Sequence, residues 1–438
     1  MAISSTRVAL YIALLSIPFA YLYPGIQRVV TVLGVFRTPA TVQLTSSEDL
    51  VYVDGTIHCE DVHYHAPSHK LFTACEDSPV TRFGWFPPLA KFNASVLNQA
   101  RGGLFVIDPV TKKAQKLELE KFRGPFVTHG IDVIPDPGKR EGEAVYIFAV
   151  NHLPNPEFYS YASGYQVDPE ATAGKAVPKA RSQIEIFYHK VGSSKAQHIR
   201  SVWHPAIKTP NDIFALSPQH FLVTNDHYYR EGLMREVEDI YPGAKWSNTL
   251  DIEVSDLSKT AEASSGVKVK VVVDSIHNNN GLSHGRTENE VLIGSAVGGS
   301  LHFGSISHDP SSVQVGDILY LDSAIDNPSY FVDPYGGTAS SADKSGYVLA
   351  GLGRAIDLSK TKHDPHGKDP VVVWYAKKSE DGAWNTRLLF EDDSSRIRSA
   401  SAAVLVAIDP AKEDGKRRAW LYVTGFISDH MIAVKVDL

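Results

Sequence analysis

Cysteine is almost missing from this chain. Cys59 and Cys75 are the only two in 438 residues, so a cysteine metal site or a catalytic thiol with a partner cysteine is unsupported. No basic block stands out, and the formal net charge is −7, which argues against nucleic acid as a partner. No strict internal repeat can be written down, so any repetition is structural. Long apolar runs are missing too, apart from residues 8–23. What remains is a globular composition, 43% hydrophobic and 21% charged, with glycine and proline spread along the chain. That spread fits many short strands joined by turns.

The run at 8–23 follows Arg7 and stops at Pro24, the pattern of a signal-peptide apolar region or a short membrane anchor. It is short for a spanning helix, which needs about 20 apolar residues. Pro18 stands where a small residue should precede a cut after Ala20, which favours an uncleaved anchor and membrane association through this run. Either way the chain enters the secretory route, anchored or secreted; a buried core helix is the alternative. Residues 1–35 thus read as signal or anchor plus linker, and residues 36–438 as one β domain. Asn93-Ala94-Ser95 is an N-glycosylation sequon, consistent with that route. Cys59 and Cys75 each lie eight residues from Pro67 in a strand–turn–strand pattern. A cross-strand disulfide and two reduced, buried cysteines both fit.

Beyond about residue 40, short runs rich in Val, Ile, Phe and Tyr recur between turn residues, as at 70–74, 103–107, 144–150, 220–224, 290–296, 371–375 and 402–408. Their even spacing favours one β-propeller over several small sandwiches. The last two runs, 420–426 and 431–436, are placed to complete a blade begun near the N-terminus. Three stretches break the pattern. Residues 155–181 read as a surface insertion. Residues 229–246 carry Leu233, Val237 and Ile240 at helical spacing, giving a short amphipathic helix that lies over a channel mouth or packs on the propeller. Residues 359–368, with His363, Asp364 and His366, read as a solvated loop rather than a zinc site.

Four short acidic or amide pairs stand beside strand-like runs: Glu60-Asp61, Asn211-Asp212, Asn280-Gly281 and Asp326-Asn327. Taken singly, each also reads as a turn. Together they offer the oxygen ligands that a hard cation such as calcium prefers. A propeller returns the chain repeatedly to one central channel, which would bring such pairs together. Successive side chains of a strand point to opposite faces, so Glu60 and Asp61, if extended, should serve different sites. The same holds for Asn211 and Asp212, and two stacked metal sites would satisfy both. Two histidines add chemistry. His129 is read at a turn before a strand and His152 at a strand end, where they can form a base and its orienting partner. His58, His63, His65 and His69 flank the first pair without an assignment.

Several of these segments, in order, resemble the paraoxonase/arylesterase family. They are Cys-Glu-Asp-Val-His-Tyr-His at 59–65, Thr-His-Gly-Ile at 128–131, Val-Asn-His at 150–152, Pro-Asn-Asp-Ile at 210–213, the run at 219–229 ending Asn-Asp-His-Tyr-Tyr, Asn-Asn-Gly-Leu at 279–282 and Asp-Asn-Pro-Ser at 326–329. The resemblance implies a six-bladed β-propeller with two calcium ions in its channel. It implies Glu60, Asn211, Asn280, Asp326 and Asn327 as ligands of a catalytic ion. Asp61, Asp212 and the backbone carbonyl of Ile131 would hold a structural ion. It also implies His129 and His152 as the histidine pair. One departure is the lack of a cysteine near the C-terminus, where animal members join their two ends by a disulfide.

The implied activity is calcium-dependent hydrolysis of lactones and aryl or carboxylic esters, with His129, oriented by His152, activating water; Asp326 is a second candidate for base or nucleophile. Two alternatives remain open: a propeller enzyme of the strictosidine-synthase type, and a non-catalytic secreted or membrane-bound module with structural calcium only.

Overall fold

Strand after strand of this chain is buried on one face or both, and the pattern distinguishes inner from outer strands. Thr128–Pro135 is buried at every position but its last, whereas in Val267–Val273 the lysines at 268 and 270 are exposed beside half-buried Val267 and Val269. The computed structural model describes residues 20, 22–161, 164–167, 177–258, 262–307, 312–337 and 342–438. Most of the 8–23 run and part of the 155–181 insertion lie outside the described residues.

Among the described residues, five four-stranded antiparallel sheets and one five-stranded sheet form six blades. The innermost strand of each is β1 (Val62–His65), β2 (Thr128–Pro135), β3 (Pro210–Ser217), β4 (Asn279–His284), β5 (Pro328–Phe331) and β6 (Ala400–Ala407). Each inner strand touches the next, and β6 returns to β1, so the six enclose a channel. The second blade carries an extra edge strand, Glu118–Glu120, paired in parallel with Lys195–Val202. In the sixth blade Arg418–Gly425 and Met431–Asp437 follow β6, and Leu50–Val53 adds the outermost strand with Leu50 opposite Val434. The expected closing pair is present, and the two ends of the chain are joined by strand pairing.

The apolar core is divided into wedges between blades. Phe148, Ile186, Phe221 and Ile252 fill the space between the second and third blades. Val348, Val373, Leu405 and Leu421 fill that between the fifth and sixth. Similar clusters lie at the other four junctions. Each such side chain contributes about 1.5–3 kcal/mol when fully buried. Because this packing lies between blades, the axis is left to polar side chains.

Residues 22–32 form a helix that docks on the propeller. Val32 is buried and its carbonyl accepts from the Ala324 amide (3.0 Å), while the Leu33 carbonyl accepts from Ile356 (3.0 Å). Arg354 Nη1 reaches the carbonyls of Gly34, Val35 and Arg37 at 2.9–3.1 Å. No helix among the described residues is long and apolar enough to cross a membrane. Cys59 and Cys75 are joined in a disulfide.

Candidate metal and catalytic site

The four acidic or amide pairs meet at one place because each stands at or just before the start of an inner strand. Glu60-Asp61 precede β1, Asn211-Asp212 open β3, Asn280 lies in β4 and Asp326-Asn327 precede β5. Two glycines let the backbones approach the axis. A Cβ on Gly130 would lie 2.4 Å from the Asn211 carbonyl and from Asp212 Oδ1; one on Gly281 would lie 2.5 Å from Asn327 Oδ1.

Five side-chain oxygens converge here without a hydrogen-bond partner among the described residues: Glu60 Oε2, Asn211 Oδ1, Asn280 Oδ1, Asp326 Oδ1 and Asn327 Oδ1. Buried polar atoms are normally paired, and five orphaned oxygens in one cluster are the kind of ligand set that a hard cation would satisfy. The electrostatics agree. Burial, then the neighbouring Asp326 and Asp61, raise the Glu60 carboxyl well above the usual carboxylate range. Burial, then Asp61 and Asp226, do the same for Asp326. The residues therefore fit a divalent ion, and they are the five that the family resemblance implies. Glu60 is fixed by Asn327 Nδ2 donating to Oε1 (2.8 Å) and by Thr424 Oγ1 donating to its carbonyl (2.8 Å).

The other set behaves differently. Asp61 Oδ1 accepts from the Val62 amide (2.7 Å), and Oδ2 from the Ile131 amide (3.1 Å) and His63 Nε2 (2.9 Å). Asp212 accepts from the amides of Ile213 (2.8 Å) and Leu282 (2.7 Å). Neither carboxylate has an orphaned oxygen. Burial, then Asp61 and Glu60, raise Asp212 well above its usual range. Burial alone would lower His63, but Asp61 and Asp132 beside it push it up to about 9.

His129 and His152 do come together: His152 Nε2 lies 3.1 Å from His129 Nδ1, and His152 Nδ1 lies 2.8 Å from Ser182 Oγ. His129 lies within β2 rather than at a turn before it, because the preceding Thr128 already pairs with Asn151. His129 Nε2 is 3.9 Å from Glu60 Oε1, which puts the pair beside the oxygen cluster. The Phe86 ring stands edge-on to both imidazoles, at 5.1 and 5.7 Å between centroids. Burial lowers His129 to about 4 and holds His152 well below the usual range, so both are neutral at physiological pH. Beneath them, Glu76 Oε1 accepts from the Thr128 amide (2.9 Å), and Arg82, also buried, lies 3.6 Å from the same oxygen.

A cavity of about 300 Å³ opens above the cluster. Glu60, His129, Asn211, Asn280 and Asp326 line its deep end, and Leu33, Phe86, Leu89, Val297, Ile325, Leu352 and Phe426 form apolar walls. The expected helix is present as Leu233–Ile240, but its faces are reversed. Leu233 is 79% exposed, while Arg235 and Glu238 are buried. Polar anchors cause this: Glu238 accepts the amides of Tyr228 (2.8 Å) and Tyr229 (3.0 Å), and Asp239 faces His227 Nε2 (2.6 Å). The loop expected to be merely solvated also contributes, since Ser359 and Lys362 line the cavity.

Sequence reasoning missed Asp226 and His227, which line the same cavity. Both lie in the Asn-Asp-His-Tyr-Tyr run, whose family match was the available signal. Burial and Arg235 would lower His227, but Asp226 and Asp239 push it up to about 9. It also missed the roles of Glu76, Ser182 and Leu33, which carry no motif.

A six-bladed propeller with an oxygen-lined channel and a histidine pair defines the class of protein. Known proteins show likenesses to it. The Arylesterase family model matches residues 172–339. Bovine serum paraoxonase/arylesterase 2 is 25% identical over 240 residues, which cover 54% of this chain and 55% of that protein. Rabbit serum paraoxonase/lactonase 3 is 25% identical over 279 residues, 62% of this chain and 63% of that protein. The chain is similar to the paraoxonase/arylesterase family over part of its length, and its match spans about half the length of the first curated relatives. Among solved structures, the Malassezia sympodialis allergen Mala s 1 is similar over 89% of this chain and 96% of its own, at 11% identity and a TM-score of 0.45.

Proposed function

We propose that this chain is a calcium-dependent hydrolase of lactones and aryl or carboxylic esters. The observation that carries the reading is the cluster of five orphaned oxygens beside a histidine pair at the floor of an apolar cavity. Glu60, Asn211, Asn280, Asp326 and Asn327 would hold the ion. When bound there, calcium supplies Lewis-acid polarisation of an acyl carbonyl.

The chain's own residues do the rest. The apolar walls receive the carbon skeleton of the substrate and exclude bulk water. Neutral His129 has Nδ1 directed at His152, which leaves Nε2 to accept a proton from the attacking water. His152, held by Ser182, fixes the tautomer and orientation of that ring. As the acyl C–O bond breaks, the proton taken by His129 passes to the departing alkoxide, and the imidazole returns to its neutral form. Such a base contributes about 10²–10⁴ in rate.

We also propose the secretory route for this chain, with anchoring through residues 8–23 and a glycan on Asn93. The disulfide belongs to an oxidising compartment, and Asn93 is exposed. The test of function is hydrolysis of a γ-lactone, a δ-lactone and phenyl acetate by the purified chain, with and without chelator. Turnover that disappears in chelator and returns with calcium is expected. Turnover unaffected by chelator would refute calcium dependence, and no turnover of any substrate with calcium present would refute the hydrolase.

A further inference from the structure

The two oxygen sets that the family resemblance implies are not alike in this chain. Among the described residues, the first has five unpartnered oxygens, while the second has none on either carboxylate. The reason is His63. Residue 63 sits in β1, two positions after Asp61, and its ring turns back into the channel. Its Nε2 lies 2.9 Å from Asp61 Oδ2, and the Ile131 carbonyl lies against the same ring. Those are two of the three groups implied for a second ion.

The far side of the ring is held as well. His63 Nδ1 lies 3.5 Å from Asp132 Oδ1. Asp132 is itself immobilised, accepting from the amides of Val133 (2.7 Å) and Ala215 (2.6 Å) and facing His284 Nε2 (2.9 Å). Both nitrogens of His63 thus face acceptors, and the ring cannot leave without breaking contacts on two sides. Calcium binds carboxylate oxygen at about 2.3–2.6 Å and needs an open direction to do so. At Asp61 Oδ2 that direction is taken by a ring nitrogen and an amide. Asp212, the third group, has one backbone amide on each oxygen.

We propose that His63 fills the place of the second ion, so that this chain carries one calcium ion per molecule, in the set built on Glu60. The proposal rests on the reading of that set as a calcium site.

Metal content decides it. The purified full chain is equilibrated with calcium, freed of loose ions, and analysed for all divalent metals per chain; calcium binding is titrated in parallel by calorimetry. One ion per wild-type chain is expected, and two ions of any kind would overturn the proposal. Glu60→Gln should lose most of the bound calcium while Asp61→Asn keeps it; the reverse would place the ion in the second set and overturn the proposal. His63→Ala removes the ring without touching an oxygen ligand, so a second, weaker equivalent of calcium should appear. A count that stays at one in folded His63→Ala would overturn the role given to the ring. If Asp61→Asn fails to fold, the wild-type count and His63→Ala still decide. No bound ion in wild type would overturn this proposal together with calcium-dependent hydrolysis, whereas two ions would overturn this proposal alone.

Discussion

Replacing Glu60 by glutamine should have opposite effects with and without calcium. Without a cation, Glu60 is a buried acid with one orphaned oxygen and with Asp326 and Asp61 as like-charged neighbours. The amide has nearly the same shape, keeps an oxygen for Asn327 Nδ2 and removes the repulsion. In chelator the variant should therefore melt at or above the wild-type temperature. With calcium the order reverses. An ion at a hundred times its dissociation constant adds about 2.7 kcal/mol to the native state, and a hundredfold weaker site leaves about 0.4 kcal/mol. At about 2.1 cal/mol/K per residue, a chain of 438 residues has an unfolding entropy of roughly 0.9 kcal/mol/K, so the calcium shifts are roughly 3 °C and under about 1 °C. Calorimetric melting of both proteins in chelator and in calcium measures this. A Glu60→Gln protein that keeps the full calcium shift, or that melts several degrees low in chelator, would refute the reasoning.

Other expectations are more local. His129→Gln should lower lactone turnover about 10²–10⁴-fold, and His152→Gln less, with calcium affinity unchanged in both; wild-type turnover in His129→Gln would pass the role of base to Asp326. His227 has a folded-state pKa of about 9 against an ordinary value of 6.5. The stability it contributes is fully present below pH 6.5 and is lost as pH rises through 9, roughly 3 kcal/mol in all. Melting of wild type and His227→Gln should therefore converge across that window, and a constant difference would contradict the assignment. Glu76→Ala strands the buried Arg82 and frees the Thr128 amide, so it should cost about 3–5 kcal/mol in denaturant unfolding; a loss under about 1 kcal/mol would show that the pair is solvated. The disulfide closes a loop of 16 residues, and replacing both cysteines by serine should cost about 3 kcal/mol. An unchanged unfolding midpoint would show that the hairpin is held by its strands alone.

The sequence by itself determined the kind of fold and the membership of the oxygen cluster. Strand runs with the 2-residue period and turn residues between them leave few architectures, and the closing pair at 420–436 is legible because apolar strands at both ends need a partner. Glu60, Asn211, Asn280, Asp326 and Asn327 were legible because oxygen-bearing residues beside strands are chemically conspicuous and their order matches a known family. Tertiary structure decided everything that depends on direction. Helical spacing announced Leu233–Ile240 but not which face would turn inward, because that was set by Glu238 and Asp239 finding the Tyr228 amide and His227. Strand alternation separated Glu60 from Asp61, yet it could not show that His63 would bend back to Asp61, because the clamp comes from Asp132 on another blade. The hairpin allowed Cys59 and Cys75 to be oxidised or reduced, and only their placement in space chose the bond. Composition and period are properties of a segment, whereas burial, charge and hydrogen-bond supply belong to the neighbours that folding brings to it.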